Sequence, residues 1–208
     1  KVLYGSSVCM LLDLCRYKRR ADGTRHLCGT TGGGTSHHSM RDELLKQATR
    51  IVIKIGSSLL ASRDTGLRPE QIDRLAGEIA VLRSSGREIL IVSSGAIVSG
   101  IRKLGLKEYP KSLPVKQAAA AVGQSRLMWA YEKSFERVDV KVAQILLTHQ
   151  DLADRRRFLN ARHTLAALIG FGVIPIINEN DTVAVDEIRV GDNDTLAAEV
   201  AHLVDADL

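Results

Sequence analysis

"VIPIINEND", Val173 to Asp181, is the stretch that decides the fold. From Val173 to Ile177 every residue is apolar, with none of the alternation that marks a strand half open to water. A strand of this kind is buried on both faces, which points to a parallel sheet between two layers of helices. The run then breaks into Asn178, Glu179, Asn180 and Asp181, and a second cluster, Asp192, Asn193 and Asp194, follows after "TVAVDEIRV". That intervening run reads as a small β-hairpin-like flap that would bring the two clusters together. Clusters of this composition serve as plain turns, as a metal loop, or as a cradle for a small polar ligand. An EF-hand is excluded, because its repeated acidic spacing and terminal Glu are missing.

The same alternation extends outward from this strand. "RIVIKIG" is a β-run closed by glycine, and "PEQIDRLAGEIAVLRSSG" is a helix opened by Pro69 and closed at Gly86, with Ile72, Leu75, Ile79 and Leu82 at helical spacing. "EILIVSSG" is the next strand, "PVKQAAAAVGQSRLMWAYEKSFE" a long helix, "VKVAQILLT" a strand, "RFLNARHTLAALIGFG" a helix, and "NDTLAAEVAHLVDADL" begins a last one. The expected fold class is therefore α/β, with a mostly parallel central sheet covered on both sides. Right-handed crossovers put the strand C-terminal ends on one edge, where open α/β sheets bind their ligands. The polar clusters "GSS", "SSGA" and "NEND" all follow strand ends.

Charge and cysteine divide the chain near residue 40. Residues 1–39 hold six of the 29 Lys and Arg residues and two of the 24 acids, leaving 23 basic and 22 acidic residues for 40–208. The body is nearly neutral, so a nucleic-acid footprint is not expected. Cys9, Cys15 and Cys28 lie in the first segment and none follows, a usage that fits a reducing, cytoplasmic setting. Together with His26, His37 and His38 they lack the close C-x-x-C spacing of a zinc site. No apolar run approaches the length of a membrane span, and "VCMLLDLC" has neither the length nor the cleavage site of a signal peptide. Residues 1–39, with "KRR" and "GTTGGGTSHHS", read as a leader without packed structure, and 40–208 as the folded domain.

Two small-residue turns could carry chemistry. "KIGSS", Lys54 to Ser58, offers a lysine at a strand end and a glycine for close backbone approach; "SSGA", Ser93 to Ala96, offers a second such turn. Both can aim backbone N–H groups at an anion, and both serve equally well as tight β–α connections. Neither a Walker A loop nor a G-x-G-x-x-G fingerprint is present. "DRRRFLNAR" places three arginines at a helix start, against the helix dipole, so a local acid or solvent must offset them. No Ser/His/Asp or Cys/His arrangement is visible, and no protein metal-ligand set is assigned.

In order and spacing, "VIKIGSS", "VSSGAIVSG", "KQAAAAVGQSRLM", "RRRFLNAR", "IPIINENDTVA" and "VGDND" resemble the glutamate 5-kinases of the amino acid kinase family. The resemblance runs from about Met40 to Leu208; the kinase part of fused pyrroline-carboxylate synthases is a close competitor. It implies a three-layer αβα sandwich and transfer of the ATP γ-phosphoryl group, as a Mg2+ complex, to the side-chain carboxylate of L-glutamate. It also implies proline as feedback inhibitor and a homo-oligomer when complete. It assigns Lys54 to catalysis and, with Gly56, to ATP; Ser94, Gly95, Asp181 and Asn193 to the substrate; and Asp194 to orienting the catalytic lysine. In that family "VDADL" leads into the nucleotide-binding half with a second catalytic lysine, so residues 1–208 are expected to have little kinase activity alone. A glutamate- or proline-sensing module without catalysis is the alternative.

Overall fold

A computed structural model of the chain describes residues 45–62, 66–184 and 192–208. The leader expected at 1–39 and the flap expected at 182–190, beyond its first three residues, lie outside them. Within them four strands form one sheet: β1 (Arg50–Ile55), β4 (Glu88–Ser93), β5 (Val142–Leu147) and β6 (Ile174–Glu179). The order across the sheet is β1-β4-β6-β5, and every pairing is parallel. A small antiparallel hairpin, β2 (Ala61–Ser62) with β3 (Gly66–Leu67), stands beside it. The helices are α1 (Ser57–Leu60), α2 (Pro69–Ser84), α3 (Ala96–Lys103), α4 (Leu113–Glu136), α5 (His149–Ala153), α6 (Arg155–Gly170) and α7 (Asp192–Leu203).

The uninterrupted apolar strands are explained by two cores. Along β4, Ile89 and Ile91 pack into one cluster with Ile72, Leu75 and Ile79 of α2 and Leu127, Tyr131 and Phe135 of α4. The alternate residues Leu90 and Val92 join a second cluster with Leu165 of α6 and Leu196, Val200 and Leu203 of α7. Successive strand side chains point to opposite faces, so the two clusters are the two sides of the sheet and the architecture is three layers, αβα. Each Ile or Leu fully buried here contributes about 1.5–3 kcal/mol of transfer free energy, and β4 and β6, each with five of six residues buried, are the most heavily covered strands.

Topology follows from the same two faces. The chain passes from β1 to β4 under α2, then skips a place to β5 by way of α3 and α4, still on the first face. It returns to β6 through α6 on the second face. A right-handed crossover that reverses its direction across a sheet must change faces, which is what the helix positions record. The reversal makes the β4–β6 boundary the topological switch point, where the following connections diverge and leave a crevice.

Two features were not legible beforehand. Helices α3 and α4 touch backbone to backbone: a Cβ on Gly100 would come 1.8 Å from the carbonyl oxygen of Ala119, and one on Gly123 would come 1.8 Å from that of Ala96. The last helix also stops at Leu203, and after a turn at Val204 and Asp205 the final residues lie along the outer edge of β1. There Asp207 N–H donates to Arg50 O at 2.9 Å, and Val52 N–H donates to Leu208 O at 2.8 Å. The Asp207 carboxylate accepts from Thr49 N–H, Thr49 Oγ1 and Arg50 N–H. The arginine run is offset locally, as required: Asp154 caps α6 through Arg157 N–H, and the Arg157 guanidinium pairs with Asp151 at 2.8 Å. No helix of the described residues is long and apolar enough to cross a membrane.

Candidate functional site

Parallel register brings the sequence-derived residues to one end of the sheet. Lys54 lies opposite Val92 and Ile55 opposite Ser93, while Val92 is also opposite Ile177 of β6. The ends of β1, β4 and β6 are therefore level, and Lys54, Ser94 and Asn178 share one rim. Ser94 N–H donates to Ile55 O at 3.0 Å, extending the ladder into the turn. Gly95 follows at φ 108°, a left-handed conformation that a side chain would strain. It starts α3 without a capping side chain, and an added Cβ there would lie 3.8 Å from Ser57 Cα. Gly56 is different: its φ of −74° is open to any residue, and an added Cβ would meet only Lys54 Nζ, at 3.7 Å. What its small size leaves open is the space beside the lysine.

The first turn of α7 closes the arrangement. Asp194 Oδ1 lies 2.6 Å from Lys54 Nζ, with both side chains roughly three-tenths exposed. Its neighbour Asn193 donates from Nδ2 to Ser94 Oγ at 2.7 Å. A solvent-exposed ion pair contributes only about 0–1 kcal/mol, so this half-buried one matters more for where it holds the ammonium than for stability. Asn193 Oδ1 is buried and has no hydrogen-bond partner among the described residues. A buried carbonyl left so costs about 1–3 kcal/mol unless a donor reaches it. It is the acceptor that an ammonium or amide of a bound molecule would satisfy.

The β6 end is braced by two glutamines of α4 that the sequence did not single out. Asn178, 2% exposed, donates from Nδ2 to Gln124 Oε1 of α4 at 2.8 Å. One residue pair further, Asn180 N–H donates to Leu147 O, and Asn180 O accepts from the N–H groups of Val183 and Ala184. Its Oδ1 accepts from Thr182 Oγ1 at 2.6 Å, so Asn180 organises the turn that presents Asp181. Gln117, two helical turns before Gln124, donates from Nε2 to Ala184 O at 3.0 Å. Glutamines seven residues apart share one helix face, a spacing visible in "KQAAAAVGQ" though its partners were not. Beneath the "SSGA" turn, Ser93 Oγ and Tyr131 OH are 2.9 Å apart. Burial pushes the tyrosine hydroxyl well above its ordinary pKa despite that bond, so it stays neutral.

The structure thus joins Lys54 directly to Asp194 and Ser94 directly to Asn193, and sets Gly56 and Gly95 beside them. Asp181, half-buried, stands on the turn after β6 at the same end. Side by side, these groups offer a fixed cation, a hydroxyl, carboxylates and the one unmatched acceptor, Asn193 Oδ1, around a crevice, which suits a small zwitterion or anion. Among the described residues no group of three or more His, Cys, Asp and Glu could hold a metal ion.

Comparison with known proteins agrees with that geometry. Residues 49–208 match the family described as "Amino acid kinase family". The chain is 61% identical over 169 residues to a protein named Glutamate 5-kinase from Geobacter metallireducens, and 58% identical over 169 residues to the one from Geobacter sulfurreducens. It is 58% identical over 164 residues to that of Moorella thermoacetica. The first two alignments cover 81% of this chain and 45% of the relative; the third covers 79% and 43%. The chain therefore spans a little under half the length of the curated relatives it matches. With the three-layer sheet, the level strand ends and the family match over residues 49–208 all in accord, the chain belongs to the amino acid kinase family.

Proposed function

We propose that this chain carries the glutamate site and the phosphoryl-contacting lysine of a glutamate 5-kinase. The reaction moves the γ-phosphoryl group of ATP onto the side-chain carboxylate of L-glutamate, giving glutamyl 5-phosphate. The observation that carries the proposal is the Lys54–Asp194 pair beside the Ser94–Asn193 pair, at the switch point of the sheet.

The chemistry suits these residue types. The acceptor carboxylate has a reference pKa of about 4.3 and is ionised at neutral pH, so no general base is needed. What must be overcome is the approach of one anion to another, and fixed positive charge with preorganised donors does that. Lys54, held by Asp194, places its ammonium at the strand end, and Gly56 leaves room for a phosphate beside it. Ser94 and the backbone around Gly95 face the substrate carboxylates. Asp181 takes the α-ammonium, and Asn193 Oδ1 gains its missing donor from the same ligand. Mg2+, carried on the nucleotide, would neutralise phosphate charge. Proline, a smaller cyclic analogue of the substrate, would compete for the same pocket. A cytoplasmic homo-oligomer is the setting in which we place the enzyme.

Calorimetric titration with L-glutamate, L-proline and L-aspartate tests the pocket. Glutamate is expected to bind, and Asp181→Ala to weaken it by about tenfold or more, the value of one charged hydrogen bond. Trapping of an acyl phosphate by hydroxylamine, dependent on ATP and glutamate, tests the transfer in a polypeptide extended to the full length of the curated relatives. No glutamate binding, or binding indifferent to Asp181→Ala, refutes the assignment. In that longer polypeptide, glutamate binding with no response to ATP favours a sensing module.

A further inference from the structure

A second cleft, of about 250 Å3, opens between the β2–β3 hairpin, α3 and α4, and none of the candidate-site residues lines it. Its walls include Leu67, Pro69, Ser99, Arg102, Arg126 and Trp129. Three observations there call for a ligand. Ser99 is 3% exposed, yet its Oγ has no hydrogen-bond partner among the described residues. Trp129 is 62% exposed, the ammonium of Lys133 lying 4.9 Å from its ring centroid. Two guanidiniums, Arg102 and Arg126, line the cleft, Arg102 also engaged with a partner, and among the described residues no acidic side chain lines it. Each guanidinium has five N–H donors in a planar fork, more than one partner can use.

These groups define the chemistry of an occupant. Cations and a hydroxyl select an anion, with the charge-assisted bonds that carboxylate and phosphate oxygens make best. Leu67, Pro69 and the indole form an apolar wall that suits a flat ring. The cleft is smaller than the usual range for drug-sized ligands, which restricts the ring to one. Gly66, at φ 79°, lets the hairpin lie against the Arg102 stem, where a Cβ would come 3.1 Å from Arg102 Cδ. We infer that this cleft binds a small aromatic anion, a single planar ring carrying one carboxylate or phosphate. Because Ser99 lies in α3, the helix that begins at Gly95, an occupant would bear on the element that presents the "SSGA" turn.

Trp129 is the single tryptophan of the 208-residue chain, so its fluorescence reports the cleft without labelling. The chain is titrated with benzoate, phenyl phosphate and inorganic phosphate, each against sodium chloride at equal ionic strength. A saturable emission change with benzoate or phenyl phosphate, at least about tenfold tighter than with inorganic phosphate, is expected. Whichever of the two binds more tightly identifies the headgroup. Arg126→Gln, at an exposed position, is expected to weaken binding about tenfold, and Ser99→Ala several-fold, while Lys141→Gln leaves it unchanged. The inference is overturned by a linear or salt-matched response, or by a saturable response that Arg126→Gln leaves intact. Emission that follows protein concentration instead of ligand also overturns it, since a second copy of the chain then covers Trp129.

Discussion

Gly123→Ala tests whether the contact between α3 and α4 is a structural necessity. The added Cβ would stand 1.8 Å from Ala96 O, 2.5 Å from Gly100 N and 2.8 Å from Ala96 C. A carbon meets an oxygen comfortably at about 3.3–3.6 Å, so the helices must separate or tilt by roughly 1.5 Å. The obstructing atoms are backbone on one side and the helix axis is fixed on the other, so no side-chain rotation relieves the clash. Overpacking of this kind costs about 1–3 kcal/mol, and this case belongs at the upper end. For a chain of this size each kcal/mol moves the thermal midpoint by about 2–4 °C, giving an expected loss of roughly 5–10 °C. Ala96 adjoins Gly95, so weaker glutamate binding should accompany the loss. Gly77→Ala in α2 is the reference, because nothing lies within 4 Å of its added Cβ. Relieving a helical glycine there should stabilise by about 0.5–1 kcal/mol. Thermal unfolding followed by circular dichroism compares the two, and equal midpoints would refute the packing argument.

In a polypeptide extended to the full length of the curated relatives, Lys54→Ala should lower phosphoryl transfer to glutamate by about 10²–10³-fold, as removal of one preorganised donor does, with little change in glutamate affinity; a loss confined to glutamate affinity contradicts its role. Gln124→Ala leaves the buried Asn178 amide without its acceptor, at a cost of about 1–3 kcal/mol; denaturant titration with an unchanged midpoint would refute that dependence. Asp207 supplies a pH test. The backbone N–H of Arg50, with the hydroxyl and backbone N–H of Thr49, holds its carboxyl down at about 2, below the ordinary 3.8. A depressed folded-state value means that its contribution is complete above about pH 4 and is lost as pH falls towards about 2. Asp207→Asn should therefore flatten the stability profile in that window and leave its slope above pH 5 unchanged. An identical acid limb in the two proteins, measured by unfolding at successive pH values, contradicts the assignment.

How far the sequence could be read depended on whether a feature was local. β4 was legible because four consecutive apolar residues, Ile89 to Val92, point to burial on two sides. α2 was legible because Pro69 and Gly86 bracket a 3.6-residue period. The turns at Gly56 and Gly95 and the polar end of β6 were legible as strand ends, and the family resemblance supplied residue roles that spacing could not. The bonds themselves were not legible. Lys54 meets Asp194, and Ser94 meets Asn193, across long stretches of chain whose approach is set by sheet order. Gly100 and Gly123 look like ordinary weak points in two helices until the helices are seen to cross there. Gln124 reads as a surface residue of a long helix, and its use lies in Asn178, on another layer. The tail beyond Leu203 continues a helical composition but is captured by the open edge of β1.

One helix end has a mechanical consequence. Asn193 and Asp194 are consecutive, yet one is tied to the turn after β4 and the other to the side chain at the end of β1. The helix behind them is seated through Leu196, Val200 and Leu203, so its first turn moves as a rigid lever with the rest. A displacement of α7 large enough to release the serine also releases the lysine. The Ser94 and Lys54 contacts are therefore coupled through the seating of one helix, and under the proposed function a rigid shift of α7 would loosen substrate grip and the orientation of the lysine together.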